Sequence, residues 1–380
     1  MSPLLAGLLL AGDIKTFTLL SLPYENEELE ALGLWSTELQ SQSALDARLK
    51  LSWRLHPSWR FEVHKAASLV NGQSFSLGNN GVASTAEEAL PLSWFVDGSG
   101  GTQLRGRVDR LLLRGELGPA VLTVGRQPVG LGAGLFFTPL DLVSPFGPAA
   151  IDSEYKPGVD AVRVEVYGGE RFEQTIVAAA LGLDGLEDLV LLSSSRLTVG
   201  TTDLSLVLGE VRAEEVVGLS VSGGVGALGL HGDASLTLPE DEDPFVRAVA
   251  GFTAMPEPKG TLMGELYVQS LGTNDPAEML ALYTDPRWVR GELWAVGRAY
   301  AAVSYARELS PLVNASLAVI SNVEDPSAML APGLRVSVSD EAELSAGAYV
   351  GLGRRPEGLA LKSELGALPT TAFLRLGAWW

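Results

Sequence analysis

Cations recur at alternate positions in this chain, and the residues between them are apolar. Asp46, Arg48, Lys50, Ser52 and Arg54 alternate with Leu45, Ala47, Leu49, Leu51, Trp53 and Leu55. Arg60, Glu62 and His64 alternate with Trp59, Phe61 and Val63, and Arg163 and Glu165 with Val162, Val164 and Val166. A β-strand has a side-chain period of two, so each stretch carries its charge on one face and its hydrocarbon on the other. By the same parity Arg196, Arg247, Arg290, Arg298, Arg335 and Arg375 join the charged face. The acids on that face are fewer: Asp46, Glu62, Asp233, Glu165, Glu265, Glu292 and Glu343. Rows of cations around a shared space set ion selectivity in favour of anions. The bland alternative is that Arg–Glu pairs across strands only stiffen a wall.

Other chemistries have little to work with. Cysteine is absent, which removes disulfides, thiol nucleophiles and zinc–thiolate sites. The three histidines are His56, His64 and His231. His231 shares a strand face with Asp233, which could orient an imidazole. No Gly-x-Ser-x-Gly motif and no two-histidine metal spacing accompanies them. The chain therefore reads as a non-enzyme without cofactor or metal, and a small barrel hydrolase centred on His231 is a distant third reading. A net charge of −19 argues against nucleic acid, which needs a basic footprint.

The elements that position these residues are strands of a two-environment sheet. Hydrophobic content is 46% with a mean hydropathy of +0.20, yet the apolar run Pro3–Gly12 is too short to cross a bilayer as a helix. Alternation continues in 228–238, 334–339 and 344–352, and in the last ten residues, Thr371 to Trp380. That final strand resembles the C-terminal signature of bacterial outer-membrane proteins, an alternating strand ending in an aromatic. The resemblance implies a transmembrane barrel in the bacterial outer membrane of a Gram-negative cell, delivered there by the barrel-assembly machinery.

Connections alternate in length. Short ones fall at 56–58, 117–119, 168–170, 200–203, 223–226, 255–260, 308–311 and 340–342. Longer or more acidic ones fall at roughly 71–101, 128–158, 182–188, 212–215, 239–244, 271–287, 321–332 and 353–369. The fold class expected is all-β: one antiparallel transmembrane β-barrel of about 18 strands, with short periplasmic turns and longer external loops. Sixteen strands is the alternative, because 187–222 is poorly delimited. The barrel spans 13–380, and 1–12 reads as a truncated signal peptide or a leader whose true start lies upstream. A bulge is expected where the polar face shifts at Asp109–Arg110. Trp53, Trp59, Tyr167, Tyr305, Trp379 and Trp380 are expected at the periplasmic rim. Asp275-Pro-Ala-Glu-Met-Leu280 and Asp325-Pro-Ser-Ala-Met-Leu330 each carry an Asp N-cap and a Pro at the first helical position, and predict two short surface helices.

Residues 119–163 hold a further pattern. A strand ending Gly125-Arg126-Gln127 leads into Pro-Val-Gly-Leu-Gly-Ala-Gly, then Phe136-Phe137-Thr138-Pro139-Leu140-Asp141-Leu142, and Pro157-Gly-Val-Asp-Ala-Val-Arg163 opens the next strand. This is similar to a broad group of porin-like outer-membrane barrels, distantly similar to alginate-export-type channels. Leu131 stands where that group often has tryptophan, and the chain is compact for it. The resemblance implies that the 128–158 loop folds inward and narrows the pore, with Arg126, Asp141, Asp152, Glu154 and Lys156 at the constriction. A loop so long and apolar is expected to have a purpose; a rigid external cap is the competing arrangement.

The function expected is passive diffusion or export of small, anionic solutes, with outer-membrane lipid and lipopolysaccharide as surroundings. A non-conducting structural or surface-recognition barrel is the alternative.

Overall fold

The computed structural model describes residues 7–31, 35–72, 88–143, 154–293 and 295–380. The strands run β1 (Leu8–Leu22), β2 (Gln40–His56), β3 (Trp59–Gly72), β4 (Ser93–Asp97), β5 (Thr102–Leu117), β6 (Ala120–Gln127) and β7 (Val159–Tyr167). Next come β8 (Phe172–Ala180), β9 (Leu189–Val199), β10 (Thr202–Val211), β11 (Glu214–Val225), β12 (Leu228–Leu238) and β13 (Phe245–Glu257). The last are β14 (Gly260–Gln269), β15 (Ala299–Ser310), β16 (Val313–Asn322), β17 (Ser327–Ser339), β18 (Ala342–Leu352) and β19 (Thr370–Trp379). Every pairing is antiparallel, between chain neighbours except for β3 with β5, and β19 returns onto β1 with Ile14 opposite Ala378. β3 pairs directly with β5, so the closed ring has eighteen strands. β4 is an extra short strand lying against residues 103–107 of β5, beyond the end of β6.

Burial is inverted relative to a water-soluble sheet. In β1 Asp13, Lys15 and Ser21 are buried while Ile14, Leu20 and Leu22 are exposed; in β10 Leu204, Leu206 and Leu208 face out around buried Val207. Hydrocarbon outside and polar groups inside is the arrangement of a membrane barrel, and no helix among the described residues is long and apolar enough to cross a bilayer. Closure leaves no free sheet edge in lipid, which satisfies the backbone of every spanning strand. The protein is thus folded as a transmembrane β-barrel.

The bulge falls where the sequence placed it. His64 opposes Arg110 and Lys65 opposes Val108, so Asp109 is the extra residue and both Asp109 and Arg110 reach the interior. Leu8–Gly12, part of the apolar run at the N-terminus, pair with Leu49–Trp53 of β2. On the short-turn end Trp59 lies against Gly115, and Trp380 lies against Gly12.

Two connections are tighter than expected. β10 and β11 join through Arg212 and Ala213, both at positive φ (58° and 62°), a left-handed pair that gives a tight hairpin on residues with no turn signature. β16 and β17 join through 323–326 only. The helix read at 325–330 is therefore absent. Asn322 caps the turn by accepting from the Glu324 and Asp325 amides, and Ser327 onward pairs with β16. The Asp-Pro start is a local helix preference; ladder pairing and burial of Met329 inside the barrel outweigh it. The other helix, Pro276–Leu282, forms with Asp275 accepting from the Ala277 amide, and a second Asp-Pro, at Asp285, caps Pro286–Val289.

Candidate functional site

The connection from β6 to β7 enters the barrel. Its glycine-rich limb, 130–137, points five successive backbone amides at two wall carboxylates. Ala133 and Gly134 donate to Asp233 of β12 (2.8 Å each at Oδ2), and Leu135, Phe136 and Phe137 donate to Glu265 of β14 (2.6, 2.9 and 2.9 Å). Consecutive amides converging on one anion form a nest, which here holds the loop to the wall. Gly132 sits at φ 91°, and a Cβ there would run into the Asp233 carboxylate and Leu140, so only glycine lets the backbone come this close. His231 Nε2 lies 2.7 Å from Glu265 Oε1 rather than against Asp233, whose oxygens serve the loop. The imidazole is a wall residue joined to the loop anchor.

Hydrocarbon completes the attachment. Phe137 is fully buried and stacks on Tyr267 at 4.8 Å, with Tyr300 and Ile320 in the same cluster. Leu140 and Val129 pack against Val159, Val177 and Val207 of the neighbouring wall. The outer half of the barrel is therefore partly filled from within.

The returning limb, 154–158, crosses to the opposite side. Glu154 forms ion pairs with Lys15 of β1 (2.8 Å) and Arg375 of β19 (2.6 Å). Burial would raise its carboxyl, but the hydrogen bonds and charge of Lys15 and Arg375 outweigh it and hold the group down to about 2. The Tyr155 ring is covered by the guanidinium of Arg48 (3.7 Å from the centroid) and that of Arg110 (4.6 Å), and its hydroxyl meets His64. Lys156 is ion-paired with Asp141, whose carboxyl burial pushes up against the pull of that lysine.

Around this limb Lys15, Arg48, Lys50, Arg107, Arg110 and Arg375 are met by four carboxylates. Asp13 takes Lys50 (2.6 Å), Asp109 takes Arg48 (2.8 Å) and Arg107 (2.5 Å), and Glu154 takes Lys15 and Arg375, which also lies 3.8 Å from Glu343. Arg110 donates to the carbonyls of Asp109 and Lys156. One side of the interior thus carries an excess of positive charge.

The other sequence-named residues are dispersed. Arg54 and Arg60 oppose each other at the turn end of β2–β3, both exposed. Arg163 shares Glu165 with Arg114 on the next stretch of wall (3.5 and 3.3 Å), and Arg335 pairs with Glu343 (3.3 Å) while staying 60% exposed. Arg247 is buried over the Phe245 ring and donates to the Glu292 carbonyl (3.2 Å). Arg298 sits in the β14–β15 connection, bonded to the Gly272 carbonyl (2.8 Å). Arg126 differs most. It shares the outward parity of Val124, and it is 2% exposed between Asp160 of β7 (2.7 Å), Glu88 (2.9 Å) and the Leu90 carbonyl (2.6 Å). It fastens the segment leading into β4 onto the wall. Asp152 lies outside the described residues. Sequence reasoning did not single out Lys15, Arg107, Arg110 or Tyr155; alternation of Asp13, Lys15 and Phe17 could have given Lys15, but nothing local marks Tyr155.

Fold and site together define a porin-type barrel. No protein-family model and no curated protein matches the chain. Solved structures do. Acinetobacter baumannii OccAB2 aligns over 100% of this chain and 99% of its own with a TM-score of 0.62 and 8% identity. Pseudomonas aeruginosa OccK5 (OpdH) aligns over 99% and 98% with a TM-score of 0.61 and 9% identity, and a BenF-like porin from Pseudomonas fluorescens Pf-5 over 98% of each with 0.58 and 8%. At such identities the likeness is one of fold. It bears on the porin-like part of the sequence resemblance and not on the alginate-export part.

Proposed function

We propose that the protein is a passive outer-membrane channel for small solutes and that it favours anionic ones. An eighteen-stranded barrel is wide enough to hold an aqueous path unless plugged. The observation that carries the anion preference is the group of six cations around Glu154–Lys156, met by four carboxylates, in a low-dielectric wall where charge acts strongly. Among the similar structures, Pseudomonas aeruginosa OpdK is one crystallised with vanillate (TM-score 0.58, 11% identity), which is consistent with a small-solute channel of this shape. Outer-membrane lipid and lipopolysaccharide meet the leucine-rich outer face, and the barrel-assembly machinery reads the C-terminal strand. No step of this function calls on catalysis.

Reconstitution in a planar bilayer under a salt gradient tests the reading. Open-channel steps with a reversal potential of anion sign are expected, and cation preference removes the anion claim. Burial of Phe137 and Leu140 inside the barrel favours a second reading, a closed surface-recognition barrel. Inserted but silent protein would select it.

A further inference from the structure

The interior has a second face of different character, on the wall formed by β8–β11. A cavity of about 220 Å³ lies there beneath Gly130–Ala133 of the inserted loop. Ser194, Ser205, Ser220 and Ser222 open into it with Thr175. The strand register sets them side by side: Ser205 opposes Ser220, Thr175 opposes Ser194, and Asp203 opposes Ser222. Among the described residues none of the four serine hydroxyls has a hydrogen-bond partner. Serine is a poor strand former compared with threonine or valine, so sheet stability does not account for four of them on adjacent strands.

Charge here leans acidic rather than basic. Arg196 is ion-paired with Glu173, Arg163 lies 3.5 Å from Glu165, and Asp203 accepts from Thr198 (2.6 Å). The two arginines of the lining face three carboxylates, so an anion gains nothing. Hydroxyls that both donate and accept, beside fixed Arg–Glu pairs, suit a ligand that is itself a dense array of hydroxyls. Leu131 gives an apolar contact that a sugar ring's C–H face can use. A cavity of about 220 Å³ leaves room for one small solute together with water.

We propose that the serine wall of β8–β11 is a binding subsite for uncharged polyhydroxy solutes of monosaccharide size, separate from the arginine face. The subsite rests on the channel reading, since its ligand arrives through the lumen.

Proteoliposome swelling with L-arabinose and xylitol, paired with chloride conductance of the same preparations, tests it. Ser205→Ala/Ser220→Ala/Ser222→Ala removes only oxygens and should slow arabinose swelling about fivefold, the scale of one net neutral hydrogen bond among several that water partly replaces. Ser205→Leu/Ser220→Leu fills the cavity and should slow it further. Chloride conductance stays at the wild-type level in both. Heat-shifted gel mobility checks folding, and if the leucine variant fails to fold the alanine variant decides. Swelling insensitive to the alanine variant, or loss of swelling in step with chloride conductance, overturns the subsite. So does a wild-type protein that conducts chloride but excludes arabinose, which leaves the channel standing. A protein that passes neither overturns the channel and the subsite together.

Discussion

Replacing Glu265 with alanine should release the inserted loop at its middle. The carboxylate accepts three consecutive loop amides, at 2.6, 2.9 and 2.9 Å, and holds His231 at 2.7 Å. A bond to a charged acceptor contributes about 1.5–3 kcal/mol net. The amides recover water once the loop lifts, so the lower end applies, and three bonds give about 4.5 kcal/mol. At about 1.4 kcal/mol per factor of ten, the lifted state gains roughly a thousandfold relative to the docked one. Asp233 still holds Ala133 and Gly134, so the change is confined to 135–137. Single-channel recording reads it directly: wild type gives a steady level, and E265A gives stepwise noise with a larger mean current. Glu265→Gln keeps one carbonyl acceptor and should fall between them. A correctly folded E265A barrel whose current and noise match wild type would refute the claim that these bonds hold the loop.

Phe137→Ala leaves a hole between Tyr267 and Tyr300 and should cost about 3–5 kcal/mol of loop docking; limited proteolysis should cut the 128–158 loop faster while the barrel keeps its heat-shifted mobility. Arg48→Ala removes one of the two arginines paired with fully buried Asp109 and should lower barrel stability by about 1.5–3 kcal/mol, visible as an earlier heat shift on gels, whereas Arg48→Ala/Arg107→Ala strands the carboxylate and should cost about 3–5 kcal/mol. Glu154 predicts an acid effect. Its carboxyl is depressed to about 2, so its tie to Lys15 and Arg375 is fully present above the ordinary carboxylate range and is lost as pH falls through about 2. Channel noise should rise between those limits in wild type and be pH-independent in Glu154→Gln; the half-exposed carboxylate keeps the effect small.

Period-two patterning is a property of neighbouring residues, so the sequence alone determined which side chains share a face and which face meets lipid. Leu45 and Leu49 against Arg48 and Lys50 needed no tertiary information, nor did the short-turn end, the bulge at Asp109 or the helix start at Asp275. Turns whose geometry is imposed by the strands they join were not legible: Arg212-Ala213 carries no turn residues, and Asp325-Pro reads as a helix until pairing with β16 takes it. What the charged residues do was decided only by closure of the ring. Asp233 and Glu265 lie about a hundred residues or more from the amides they hold, Arg375 lies 221 from Glu154, and Arg126 shares its parity with lipid-facing Val124 yet is consumed by the segment before β4. A strand's alternation says that a residue points inward; which group it meets there depends on which strands the closed barrel sets across from it.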